Sequence, residues 1–186
     1  YRSKGVKAED LQAIKSYFEA YKRQVVVNRV DESFIETVNA EGSTHRRYAL
    51  YPPRDIYVDE IVKRSRSEKV FVYLVDALGT EFLSYIEQKC KRQGLSMSSN
   101  LARAKLPTVT SVNYGALRER LTEKSILNQY VGEIDDIKHN RSSVQTNPEG
   151  IPLHLYKELD AIDRLFAEVV VQLTTAGVAS VWFVPD

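Results

Sequence analysis

Apolar residues run without a break from Val70 to Val75 and stop at Asp76, in the stretch VFVYLVDALGTEF. A continuous apolar run ended by turn residues suits a strand buried on both faces. Two further runs repeat the pattern: Ile126 to Ile134, ending at Asp135, and Ala179 to Val184, leading to Asp186. Elsewhere the spacing is helical. Ala8 to Val26 carries Leu11, Ile14, Tyr17, Phe18 and Tyr21 at helical intervals; Gly79 to Gln93 carries Phe82, Leu83, Tyr85 and Ile86. Leu153 to Thr175 gives the longest such pattern, through Leu159, Ile162, Leu165, Phe166, Val169, Val170 and Leu173. Gly94 and Gly177 stand where helices end. Shorter helices are expected at Asp31 to Val38, at Val58 to Arg64, and from the hydroxyl-rich turn Thr108 to Ser111 through about Leu121. Glu41 to Pro53, Ser98 to Ala104 and Lys138 to Pro152 read as loops, the first barred from helix at Pro52-Pro53.

Strands separated by helices predict an α/β fold with a mostly parallel sheet flanked by helices. The predicted organisation is a mainly helical segment, 1–69, followed by an α/β domain, 70–186. The basic run KRSRSEK between them reads as a solvated linker before it reads as a phosphate contact. A hydrophobic content of 43% and 27% charged residues are those of an ordinary globular chain. The net charge of +1 supplies no bulk attraction for nucleic acid. A single cysteine, Cys90, excludes an internal disulfide framework and fits a reducing, cytoplasmic setting, where it reads as a half-buried structural thiol. No apolar run approaches the roughly 20 residues of a membrane span, and no signal peptide is visible. The start at Tyr1 and the stop directly after ASVWFVP are expected of a piece of a longer protein.

In a parallel sheet, strand-end acids share one edge, where open α/β folds bind ligands. Asp76, Asp135 and Asp186 would then crowd together, and a bound cation would relieve their repulsion. The competing reading makes each a helix cap. His139 follows Asp135 by four residues in DDIKHN, a spacing that lets both face one ion from a helical turn. Carboxylate with imidazole suits zinc or manganese rather than calcium; a lone surface histidine is the alternative. His45 and His154 have no such company and read as incidental. The turn Pro107-Thr108-Val109-Thr110-Ser111 opens a predicted helix, a place that favours an anion such as phosphate. A hydroxyl there, activated by a metal, can attack phosphorus; Thr108 or Thr110 as a plain N-cap is the alternative.

Taken together these stretches resemble the PglZ domain, a branch of the alkaline phosphatase superfamily found in bacterial anti-phage systems of the phage growth limitation and BREX type. The resemblance covers roughly 70–186. VFVYLVDALGTEF is similar to the family's opening strand, which implies Asp76 as a ligand of the second metal. LPTVTSVN is similar to the nucleophile motif, in which a proline precedes the attacking residue by three, and implies Thr110 as nucleophile and metal ligand. Asn113 matches a phosphate-contacting asparagine of phosphodiesterase relatives. EIDDIKHN resembles the pair that binds the first metal, implying Asp135 and His139. VWFVPD resembles the strand before an Asp-His-Gly motif, implying Asp186 as a second-metal ligand. The His after Asp186 and the later His of the first-metal site are not among the 186 residues, so the alkaline-phosphatase-like core is expected to be incomplete in this chain.

The resemblance implies a metal-dependent phosphatase or phosphodiesterase with two divalent ions, zinc or alternatively manganese. The expected partners are a phosphate ester, with nucleotides and nucleic acid among the candidates, and other defence-system proteins, without a membrane. The alternative function is a non-catalytic subunit that holds partner proteins around a silent site. A receiver-like or nucleotide-binding α/β domain also gathers acids at strand ends, but His139 argues against it. The missing Gly-rich phosphate loop argues against a P-loop enzyme.

Overall fold

A computed structural model describes residues 3–44, 49–140, 146–151 and 153–185. These fall into two compact units, interleaved along the chain: 1–53 with 80–103 and 144–155, and 54–79 with 104–143 and 156–186.

The first unit is helical. It contains α1 (Ala8–Val27), α2 (Glu32–Thr44), a 3-10 turn (Thr80–Phe82) and α4 (Leu83–Arg92). The aromatic face of α1 meets α2 where Tyr17 stacks on Phe34 with ring centroids 5.3 Å apart. Asn28 ends α1 in a left-handed conformation, the usual way a helix satisfies its last carbonyls. The segment expected as a loop from Glu41 stays helical through Thr44. Cys90 is buried, and burial foremost, with the charge of Glu87 second, pushes its thiol pKa up. That is the setting of an inert structural thiol.

The second unit is α/β. It holds α3 (Asp55–Arg64), β1 (Val70–Val75), α5 (Thr110–Asn113), α6 (Gly115–Glu123), β2 (Leu127–Val131), α7 (Glu133–His139), most of α8 (Leu153–Thr174) and β3 (Ser180–Pro185). The strands form a parallel three-stranded sheet in the order β2-β1-β3. β1 is central, which accounts for its unbroken apolar run: five of its six residues are buried. Val70, Val72 and Leu74 pack with Val58 and Ile61 of α3 and Leu117 and Leu121 of α6. On the alternate positions Tyr73 meets Phe183 edge-on at 5.8 Å, and Phe183 meets Phe166 of α8 at 6.0 Å. Helices therefore cover both faces. α3 belongs to this sheet, because Val58 and Ile61 are each only 1% exposed within its core.

The second strand is shorter than its apolar pattern. It ends at Val131, and Asp135 lies in the first turn of α7 instead of at a strand end. Gly132 breaks the extended run, and the acids Glu133, Asp135 and Asp136 favour the start of a helix through the partial positive charge there. Ile134, 1% exposed, anchors that helix. The helix expected from Thr108 to Leu121 is likewise two pieces, with Tyr114 between them.

Candidate active site

The site sits at the carboxyl end of β1. Val75 is in register with Val131 of β2 and Pro185 of β3, so Asp76 is the first residue past the paired sheet. Its backbone N–H continues the ladder to Val131 O at 2.9 Å. Its side chain is 2% exposed. A buried carboxyl needs hydrogen-bond donors, and two hydroxyls supply them on one oxygen. Thr110 Oγ1 donates to Asp76 Oδ2 at 2.9 Å, and Tyr130 OH donates to the same oxygen at 2.5 Å. Asp76 is not the N-cap of the helix that follows in sequence; Phe82 occupies that position. Thr110 is not an N-cap either. Val109 precedes the helix and no side chain caps it.

Several contacts hold the Thr110 turn against the strand end. Tyr114 OH donates to Val75 O at 2.9 Å and has Val184 O within 3.3 Å, joining the start of α6 to β1 and β3. Arg54 donates from Nη2 to Asn113 O at 2.5 Å and from Nη1 to Pro185 O at 3.3 Å, with its guanidinium over the Tyr114 ring. Asn113 is 1% exposed. Its Oδ1 accepts from Lys105 N at 2.9 Å, and its Nδ2 donates to Lys105 O at 3.1 Å and Val109 O at 3.3 Å. The side chain expected to touch phosphate therefore braces the 105–109 loop that leads into the Thr110 turn.

After Asp76 the chain turns through Ala77, a non-glycine residue at φ 57°. Lys138 of α7 donates to its carbonyl at 2.8 Å. On the same helix His139 Nε2 lies 3.3 Å from Asp135 Oδ1, with the imidazole 80% exposed and the carboxylate 32%. The two face one another on consecutive turns, as their spacing predicts. Asp186 lies outside the described residues.

The structure thus brings Asp76 to Thr110, and Asp135 to His139, as two pairs. Among the described residues no group of three or more His, Cys, Asp and Glu side chains comes together as a metal cage. The donor chemistry still fits divalent cations: carboxyl and hydroxyl oxygens in the first pair, carboxylate and imidazole in the second. Tyr130, Tyr114 and Arg54 belong to no motif legible in the sequence. The one local signal for Tyr130 was an aromatic residue near a strand end with glycine two positions later.

No protein-family model matches this chain, and neither a curated protein nor a solved structure does. Among the described residues no helix is long and apolar enough to cross a membrane.

Proposed function

We propose that this chain carries part of a phosphoryl-transfer site of the PglZ type, within an alkaline-phosphatase-like domain, with Thr110 as nucleophile. The observation that carries the reading is the 2.9 Å hydrogen bond from Thr110 Oγ1 to a buried carboxyl at the end of the central strand. Nucleophile and acceptor are already within the reach such pairs need.

Asp76 and Thr110 would hold one cation, with Asp186, and Asp135 with His139 the other; zinc is the first choice and manganese the second. When bound, such ions lower the pKa of a coordinated hydroxyl and offset charge on the phosphate oxygens. The chain's own groups do the rest. Thr110 Oγ would form a bond to phosphorus as the bond to the ester oxygen breaks, and the hydroxyl proton would pass along the hydrogen bond to Asp76 Oδ2 and on to the departing oxygen. Water then adds its oxygen to phosphorus and breaks the new Oγ–P bond, returning a proton to Thr110 Oγ and releasing phosphate from a monoester or a phosphomonoester from a diester. Arg54, Asn113 and Tyr114 fix the Thr110 turn, so little reorganisation is needed at the reacting atom. The substrate is a phosphate ester, nucleotides and nucleic acid included.

In the full-length protein supplied with zinc, Thr110→Ala should abolish turnover of a nitrophenyl phosphodiester. Turnover equal to wild type would remove Thr110 from the mechanism.

A second reading is a non-catalytic subunit that holds partner proteins of a defence complex. It is favoured by the commitment of Asp76 Oδ2 to two hydroxyls and of the Asn113 amide to its own loop. On that reading Thr110→Ala leaves the protein's biological role intact.

A further inference from the structure

Tyr130 stands on β2 opposite Leu74 of β1. The residue is 39% exposed, so burial alone does not hold its side chain in place. Three contacts do. The phenol donates to Asp76 Oδ2 at 2.5 Å. The ring meets Tyr114 edge-on, with centroids 5.7 Å apart. Behind it lies Gly132, where a Cβ would come 3.0 Å from Tyr130 Cε1 and 3.2 Å from its hydroxyl. Gly132 has φ −100° and ψ 0°, a conformation open to other residues. Glycine is needed there for space, and the space is filled by the Tyr130 phenol.

Thr110 and Tyr130 converge on one carboxyl oxygen, so their hydroxyls stand side by side. We propose that Tyr130 is a positioning residue: it fixes Asp76 Oδ2 so that the Thr110 hydroxyl keeps a single direction toward a phosphoryl group. The proposal rests on the reading of Thr110 as nucleophile, and it adds a residue that no motif in the chain pointed to. A phenol that merely satisfied a buried acid would have no call on the rate.

The test uses the full-length protein and two substitutions. Tyr130→Phe removes one oxygen and keeps the ring on Tyr114. Gly132→Ala keeps the phenol and displaces it. Both should lower kcat for a nitrophenyl phosphodiester about 10- to 100-fold, the size expected when a reacting group loses its alignment. KM should change less than about threefold, since ground-state binding is not touched. A second readout needs no turnover. In protein labelled with 13C at tyrosine Cζ, the resonance lost in Tyr130→Phe identifies Tyr130, and it should shift in Gly132→Ala and in Asp76→Asn. A resonance unmoved in both variants overturns the proposal. So does a kcat near wild type in Tyr130→Phe when Thr110→Ala abolishes turnover. If Thr110→Ala is as active as wild type, or the wild type has no turnover, the phosphoryl-transfer reading fails instead, and the resonance alone decides whether Tyr130 positions Asp76.

Discussion

Asp76 is a polar group at the end of an apolar strand, and its burial would be costly without donors. Thr110 and Tyr130 supply them. The next residue, Ala77, holds a left-handed backbone conformation at φ 57°. For a residue with a Cβ this costs on the order of 1 kcal/mol, and it is maintained by the hydrogen bond from Lys138 to its carbonyl. Strain of this kind gathers at functional turns. Ala77→Gly removes the steric penalty and adds some unfolded-state freedom, so a net gain of about 0.5 kcal/mol is expected in urea unfolding. A loss of stability would mean that the Ala77 methyl packs favourably enough to outweigh the strain. Asp76 was visible in the sequence because it closes an apolar run. Tyr130 was not, because its role depends on a cross-strand neighbour and on the space above Gly132.

Among the elements, β1 was the most legible. A central strand covered on both faces writes itself as an unbroken apolar run, and Val70–Val75 is the strand observed. β2 was harder. Its residues are mostly exposed, with Asn128 and Gln129 in the middle, so the apolar signal ran on into Ile134, which belongs to α7. That helix has seven residues and one buried side chain, too little for a helical period to show. The α8 face of the sheet makes a pH-dependent prediction. Tyr73 is fully buried, with its hydroxyl 3.5 Å from Glu168 Oε2. Burial first, and the Glu168 charge second, push its pKa up to about 12. Between the ordinary tyrosine value of about 10 and that value, the unfolded chain has released the proton while the folded chain keeps it. The contribution is complete below pH ~10 and is lost as pH rises toward ~12, on the order of 3 kcal/mol in all. Chemical denaturation across this window should show Tyr73→Phe losing less stability with rising pH than wild type does. Parallel slopes would contradict the assignment.

For the whole molecule, the alternation of strands and helices was enough to predict a parallel α/β sheet, and the sheet is there. The compact units interleave along the chain. Val58 and Ile61 join the sheet core, a non-local contact that no window of sequence reports. The candidate site was legible to the same degree. Asp76 and Thr110, far apart in sequence, do meet, and Asp135 and His139 pair as their spacing requires. Asp135 is not at a strand end, because Gly132 starts a helix before it. Thr110 is proposed to accept a phosphoryl group. The most direct test is mass spectrometry of the full-length protein, acid-quenched during turnover of a nitrophenyl phosphate with zinc present. The expected result is a phosphoryl adduct on the peptide bearing Thr110, absent in Thr110→Ala. Turnover without any adduct on that peptide, undiminished in Thr110→Ala, would contradict it.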